Sequence, residues 1–362
     1  MGAILLHAHP RTVTGHRRWT ACLLPLVLLL VVKALVLSVC LGIMSPEEAA
    51  MRWDAGHFLR IASHGYKDLE DAAFAPLFPL AIRAVSVLGL QLWQSAFVVA
   101  SAGSLAFLAI LCRLYGPKQA ALVILIPSIA LYTTVPYSES LALPLVAGSL
   151  LAIRRRRWLL AGALLGLASL ARYQVGIVSL AIAIIVARRG GLLSAFKVMV
   201  GPGLAGAVVM LFHWRVYGDP LIYLQAEKLW GAGLTIPLVG QLEWIAESGF
   251  TNRGWAIDGI VIGPSAWSAR NISAYILYGA GILGLARSNR MEEAVLAATN
   301  ILLVASLRGM PAVSAARLAA LSFPAVAYLA EKADRWSYTM LAVSFLCMLH
   351  IATYWHCLAF YA

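Results

Sequence analysis

Long apolar runs broken by short polar joints fill most of this chain. At about twenty residues per crossing, the runs predict a bundle of membrane-spanning helices. The first is Trp19–Ile43, too long for a signal-peptide core and without a clear small-residue cleavage site. Further spans are expected at about Trp93–Tyr115, Ala120–Val135, Ser138–Ile153, Trp158–Leu170 with Val175–Val186, Phe196–Trp214, Ile272–Ala286, Glu293–Leu307, Arg317–Ala330 and Ser337–Phe360. That makes roughly ten or eleven helices in an all-α, polytopic membrane protein. No internal repeat divides the chain, so residues 1–362 read as one membrane domain.

Between the first two spans the pattern changes. Arg52–Tyr66, RWDAGHFLRIASHGY, carries Asp54, His57 and Arg60 at spacings of three, which share one face of a helix. Phe58, Leu59, Ile61 and Ala62 make the other side apolar, and Gly65 suits the helix end. An interfacial amphipathic helix is expected here, with a second over Phe74–Gly89. Two roles compete for Asp54. One is an N-cap accepting from the backbone of Gly56 or His57; the other is a catalytic carboxylate at the membrane boundary.

Composition strengthens the membrane reading: 61% of the 362 residues are hydrophobic and 12% charged, with mean hydropathy +0.82. The formal net charge of +12 does not point to nucleic acid. Its basic residues fall on alternate joints, as the positive-inside rule predicts: Arg11–Arg18, Arg113/Lys118, Arg154–Arg157, Arg188/Arg189/Lys197, Arg287/Arg290 and Lys332/Arg335. Anionic lipid heads are natural partners for these clusters. The opposite, extracytoplasmic joints are expected at Met44–Gln91, Val135–Ser138, Ala171–Gln174, Tyr217–Arg270 and Gly309–Ser314, which hold most of the acids. The five cysteines form no CxxC pair and no zinc-type cluster.

Several residues on the outer side invite a chemical role. Glu139 opens a helix, where the dipole also favours a carboxylate. Arg172 lies against the positive-inside bias, so a partner such as a lipid phosphate is expected, unless it only snorkels to water. Gln174 interrupts the same apolar stretch. Gly218-Asp219-Pro220 is a turn signal opening an aromatic, amphipathic segment in which Tyr223, Ala226, Glu227 and Trp230 recur at helical spacing. Without further support this is an interfacial aromatic belt. Arg317 sits near the outer start of a late helix.

In order along the chain, RWDAGHFLRIASHGY, FAPLFPLAIR, PYSESLALPL, RRRRWLLAGALLGLASLAR, YGDPLIYLQAEKLW and SAARLAALSFP resemble the PIG-V-type mannosyltransferases. These comprise the GPI mannosyltransferase II enzymes and their prokaryotic relatives, within the GT-C superfamily. The resemblance runs from about Arg52 to Pro324, and the WD-x-x-HF…GY stretch with FAPLFP is its most specific part. Tyr173 departs from the usual proline and Ala75-Pro76 from the usual aromatics, which bears on pocket shape rather than reaction class.

The resemblance implies a GT-C-type bundle and transfer of mannose from a polyprenyl- or dolichyl-phosphate donor to a glycolipid or glycan hydroxyl, with inversion. It implies Asp54 as the catalytic carboxylate. Candidate substrate-binding residues are Trp53, His57, Tyr66, Glu139, Arg172, Gln174, Asp219, Gln225 and Arg317. No cofactor is required by that chemistry, which leaves room for a divalent metal. The alternatives are a GT-C enzyme using another lipid-phosphate sugar, and a lipid or solute transporter. A transporter should place its polar residues near the midplane on broken helices of matching halves.

Overall fold

A computed structural model describes residues 22–248, 255–257, 260–262, 264–309 and 314–358. The basic segment Arg11–Arg18, most of the outer joint Gly309–Ser314 and parts of Tyr217–Arg270 lie outside them. The described chain is helical apart from four short strands. It opens with α1 (Leu23–Leu41), a short α2 (Pro46–Ala50), α3 (Asp54–His64) and a 3-10 turn at Leu69–Ala73, followed by α4 (Leu77–Ser86). Then come α5 (Leu92–Leu114), α6 (Pro117–Leu125), α7 (Pro127–Tyr132), α8 (Glu139–Arg154), α9 (Trp158–Ala171), α10 (Gln174–Gly190) and α11 (Leu192–Tyr217). The last third holds α12 (Ile222–Leu229), α13 (Val239–Ser248), α14 (Pro264–Arg287), α15 (Met291–Ala305), α16 (Ala315–Leu318), α17 (Phe323–Lys332) and α18 (Arg335–Leu358).

Four described helices are long and apolar enough to cross a bilayer: Leu23–Leu41, Leu92–Leu114, Leu192–Tyr217 and Arg335–Thr353. Their leucines and valines remain largely exposed, as a lipid-facing surface requires. The shorter α8 is largely buried between α5 and α9, while α9 keeps Leu159, Leu160 and Leu167 exposed. The chain is an integral membrane protein.

Two expected spans are broken. Ala120–Val135 divides at Ile126-Pro127, because proline cannot donate to the helix and forces its predecessor into an extended conformation. Arg317–Ala330 divides into α16, a 3-10 turn over Ala319–Ser322, and α17, with Pro324 at the start of the last. The helix predicted at Ile272 begins earlier, at Pro264. The interfacial helices stand close to their expected places, as α3 and α4.

Polar groups gather at opposite ends of the same helices. Glu139 begins α8 and Arg154 ends it; Arg154 pairs with Glu293, which also holds Arg290, and Arg290 reaches Glu331 at 2.9 Å. Within α1, Lys33 donates to the carbonyl of Thr133 at 2.8 Å, giving an ammonium in an apolar helix a backbone acceptor.

Packing is closest between α9 and α11, which meet through glycine. A Cβ on Gly201 would stand 1.9 Å from the carbonyl oxygen of Gly162. Close approach of small residues is how helices associate in lipid, where hydrophobicity gives no drive. Gly201→Leu is therefore expected to lower stability by at least about 1–3 kcal/mol, visible as an earlier thermal unfolding in detergent. An unchanged transition would show that the two helices do not bear on each other there.

Candidate functional site

The RWDAGHF segment turns sharply into α3. Trp53 occupies the N-cap position at φ 54°, a conformation that side chains other than glycine rarely adopt. Its indole donates to the carbonyl of His356 at 3.2 Å, and the Arg52 guanidinium donates to that of Cys357. Both contacts fasten the turn to the end of α18. Gly56 is required beneath it, since a Cβ there would lie 2.6 Å from the Met51 carbonyl oxygen.

With Trp53 at the N-cap, Asp54 becomes the first helical residue. The N-cap role expected as one reading of Asp54 is therefore wrong: its carboxylate instead pairs with Arg317 at 2.8 Å. Arg317 also approaches Glu139 at 3.2 Å through Nε, and Glu139 is ion-paired with Arg172. Four residues from four distant segments thus form one chain of alternating charge. The Glu139 carboxylate is buried at 2% exposure, and the guanidinium of Arg317 lies 5.4 Å and 5.3 Å from the ring centres of Tyr132 and Tyr137. Asp54 itself is about one-third exposed, with a side-chain value of 34%. Burial works against its charge, but Arg317 beside it and donating to it outweighs that and holds the carboxyl below its ordinary range.

His57 follows on the same face of α3. Its ring stacks on Phe74 at 4.6 Å, and its Nδ1 lies 3.1 Å from the Arg60 guanidinium. Arg60 in turn bonds Asp71 at 2.6 Å, tying α3 to the 3-10 turn. Burial, then Arg60, lower the His57 pKa, so the ring is neutral near pH 7 and Nδ1 accepts from Arg60. It holds the wall in place and carries no charge to offer a phosphate.

Asp54, His57, Arg172 and Arg317 line a cavity of about 1150 Å³. That is large enough for a sugar and part of a lipid phosphate, since ligand pockets run to about 300–1,000 Å³. Trp53 and Gln174 also reach its wall. Gln174 donates to Asn300 at 2.8 Å and to the Leu318 carbonyl at 3.3 Å, fixing α10 to α15 and α16. Glu139 stands behind the two arginines. Tyr66, Asp219 and Gln225 are not part of the cavity wall. Tyr66 donates to the Phe74 carbonyl at 2.7 Å, and Gln225 on α12 donates back to Asp219 in the preceding turn at 2.8 Å.

Residues not singled out as site candidates complete the cavity: Tyr132, Tyr137, Tyr223, Glu227, Lys228 and His356. For Tyr223, Glu227 and Trp230 the signal was present as spacings of four and three on one face, and it was taken for a belt in the interface. His356 carried no local signal, because the end of α18 reaches the site only through folding. Among the described residues, no three His, Cys, Asp or Glu side chains gather as a metal site.

Residues 47–200 match the family model described as mannosyltransferase (PIG-V). This stretch resembles that family. It contains Asp54, His57, Glu139 and Arg172. A search of curated proteins gives no match. Among solved structures, the chain is similar to ArnT from Cupriavidus metallidurans bound to undecaprenyl phosphate, at 15% identity and a TM-score of 0.46. The alignment covers 91% of this chain and 63% of that one.

Glu139 is the shared counter-ion of two largely buried arginines. Removing it leaves both under-compensated, so Glu139→Ala is expected to cost about 3–5 kcal/mol. Thermal unfolding of the purified variant checks this; a loss below about 1 kcal/mol would mean that water already screens the arginines.

Proposed function

We propose that the protein transfers a mannosyl residue from polyprenyl-phosphate-mannose to a hydroxyl of an extracytoplasmic glycolipid or glycan. The observation that carries this reading is a carboxylate and two guanidinium groups side by side on one cavity wall: Asp54, Arg317 and Arg172. They lie in a membrane protein with a mannosyltransferase family match. The acceptor oxygen attacks the anomeric carbon, Asp54 takes the hydroxyl proton, and the bond from carbon to phosphate oxygen breaks. The lipid phosphate departs with the electron pair. Its negative charge needs cations rather than a proton, which Arg172 and Arg317 supply. Attack opposite the leaving group inverts the anomeric centre. The step as written requires no metal, and a divalent metal is compatible with it.

The resting arginines are already paired with carboxylates. An arriving phosphate therefore shares Arg317 with Asp54, weakening the pair and returning basicity to the carboxylate as the donor docks. This is the reverse of a transporter's arrangement, since the charged groups of the cavity collect where α8 begins and α9 ends rather than along a central path.

With labelled polyprenyl-phosphate-mannose and isolated membranes, Asp54→Asn should lower transfer by about 10²–10⁴-fold while the protein still inserts. Transfer at the wild-type rate would remove Asp54 from the chemistry. A base whose pKa is depressed stays charged to lower pH, so kcat/KM for the donor at saturating acceptor should remain flat from about pH 7 to about pH 5. An acid limb near pH 6.5 would assign the base to a histidine instead. Arg172→Ala should raise the half-saturating donor concentration about tenfold or more. The half-saturating acceptor should shift far less, and equal shifts would mean that Arg172 only packs.

A further inference from the structure

The transfer step leaves one cavity-facing carboxylate without a task. Glu227 lies on α12, whose inner face packs Ile222 and Ala226 onto Ala72 of the 3-10 turn. That contact turns Tyr223, Glu227 and Trp230 into the cavity, opposite the side held by packing. The Tyr223 hydroxyl hydrogen-bonds Glu227. Tyr223 meets Tyr173 edge-on at 4.8 Å, and Trp230 meets His57 edge-on at 5.5 Å. The wall is thus one carboxylate between two rings whose orientation is locked by neighbouring rings. No ion pair with Glu227 occurs among the described residues.

This chemistry suits a sugar and not a phosphate. An ionised carboxylate accepts hydrogen bonds and repels anions, so the donor's phosphate belongs with Arg172 and Arg317. Hydroxyl groups are donors, and the apolar face of a pyranose ring stacks on aromatic rings. Two sugars enter such a site, and geometry separates them. The base must touch the attacking hydroxyl, while the donor's anomeric carbon lies between that hydroxyl and the phosphate. Trp230 packs edge-on against His57, one turn beyond Asp54 on α3, which sets the ring and carboxylate of α12 beside the base, with Glu227 near enough to feel Asp54 as well as the two arginines. Burial, followed by the Asp54 charge, raises the Glu227 pKa, while Asp54 is held low by Arg317. The two carboxyl groups are thereby given different properties within one cavity.

Building on the transfer reading above, we propose that Glu227 is the acceptor-reading residue, hydrogen-bonding a hydroxyl of the acceptor sugar while Tyr223 and Trp230 flank its ring. The enzyme then selects its acceptor through α12 and its donor through the arginines, on separate segments of the chain.

The test uses the purified full chain, labelled polyprenyl-phosphate-mannose, and membranes from cells lacking the enzyme as the acceptor supply. Glu227→Gln keeps size and shape while removing the charge. The amount of acceptor membrane giving half-maximal transfer should rise about tenfold or more, and the balance between transfer and hydrolysis of the donor should move towards hydrolysis. A rise in half-saturating donor with the acceptor value unchanged would overturn the proposal by assigning Glu227 to the donor. Loss of transfer and hydrolysis together would overturn it too, since Glu227 would then serve the chemistry or the fold. Tyr223→Phe, which keeps the ring and removes the hydrogen bond, should shift the acceptor value in the same direction by a smaller factor. Asp54→Asn in the same assay reports on the base independently. If it retains transfer, the base assignment fails while the split between acceptor and donor values still decides Glu227.

Discussion

Arg317 is the residue on which the site depends. Its guanidinium joins Asp54 at the start of α3 to Glu139 at the start of α8, and through Glu139 to Arg172 at the end of α9. Each carboxylate is tolerable at this depth because an arginine faces it, and each arginine because a carboxylate does. Two tyrosine rings close off the guanidinium from the side. The result is a rigid charged strip rather than a set of independent side chains. It fastens together segments separated by as many as 263 positions, from 54 to 317. The cavity is where this strip meets the interfacial helices.

Those interfacial helices act as furniture for the strip. Arg60, Asp71 and the stacked pair His57 and Phe74 hold α3 against the 3-10 turn, and α12 rests on the same turn. A two-stranded pairing of Gly233 with Arg308 and Leu234 with Leu307 ties the chain after α12 to the chain after α15. The cavity walls are thus built from short elements clamped to one another, while the long helices supply the frame. A rigid frame with a site on short, well-braced segments gives the geometric precision that group transfer needs.

Much of this was legible in the sequence because the relevant signals are local. Apolar runs announce helices, clustered arginines announce sides, and RWDAGHF announces an amphipathic turn of helix. Asp54, Arg172 and Arg317 stood out because charge is rare in such a chain. What failed to show were facts that belong to contacts. Nothing near Asp54 tells that Trp53 takes the N-cap position, since that follows from contacts to His356 and Cys357 three hundred positions away. Tyr66, Asp219 and Gln225 looked functional by residue type, but each satisfies a nearby structural bond. Glu227 was hidden for the opposite reason, because an acidic residue between aromatics also fits a membrane interface. The break at Pro127 was readable from proline alone, and the apolar run around it concealed the fact.

Lys33 carries a consequence for the way the protein is made. Its ammonium lies near the middle of the first span, and its acceptor, the Thr133 carbonyl, is one hundred residues further along the chain. A lysine at the centre of a lone helix costs about 2.5–3.5 kcal/mol of insertion free energy. During synthesis α1 must therefore enter the bilayer carrying an unsatisfied charge, offset by its leucines and valines, and wait for the turn after α7 to arrive. Once the bond forms, it sets the depth of α1: a shift of one helical turn would move the ammonium about 5.4 Å from its acceptor. The first helix is thereby registered against the segment that leads directly into Tyr137 and Glu139.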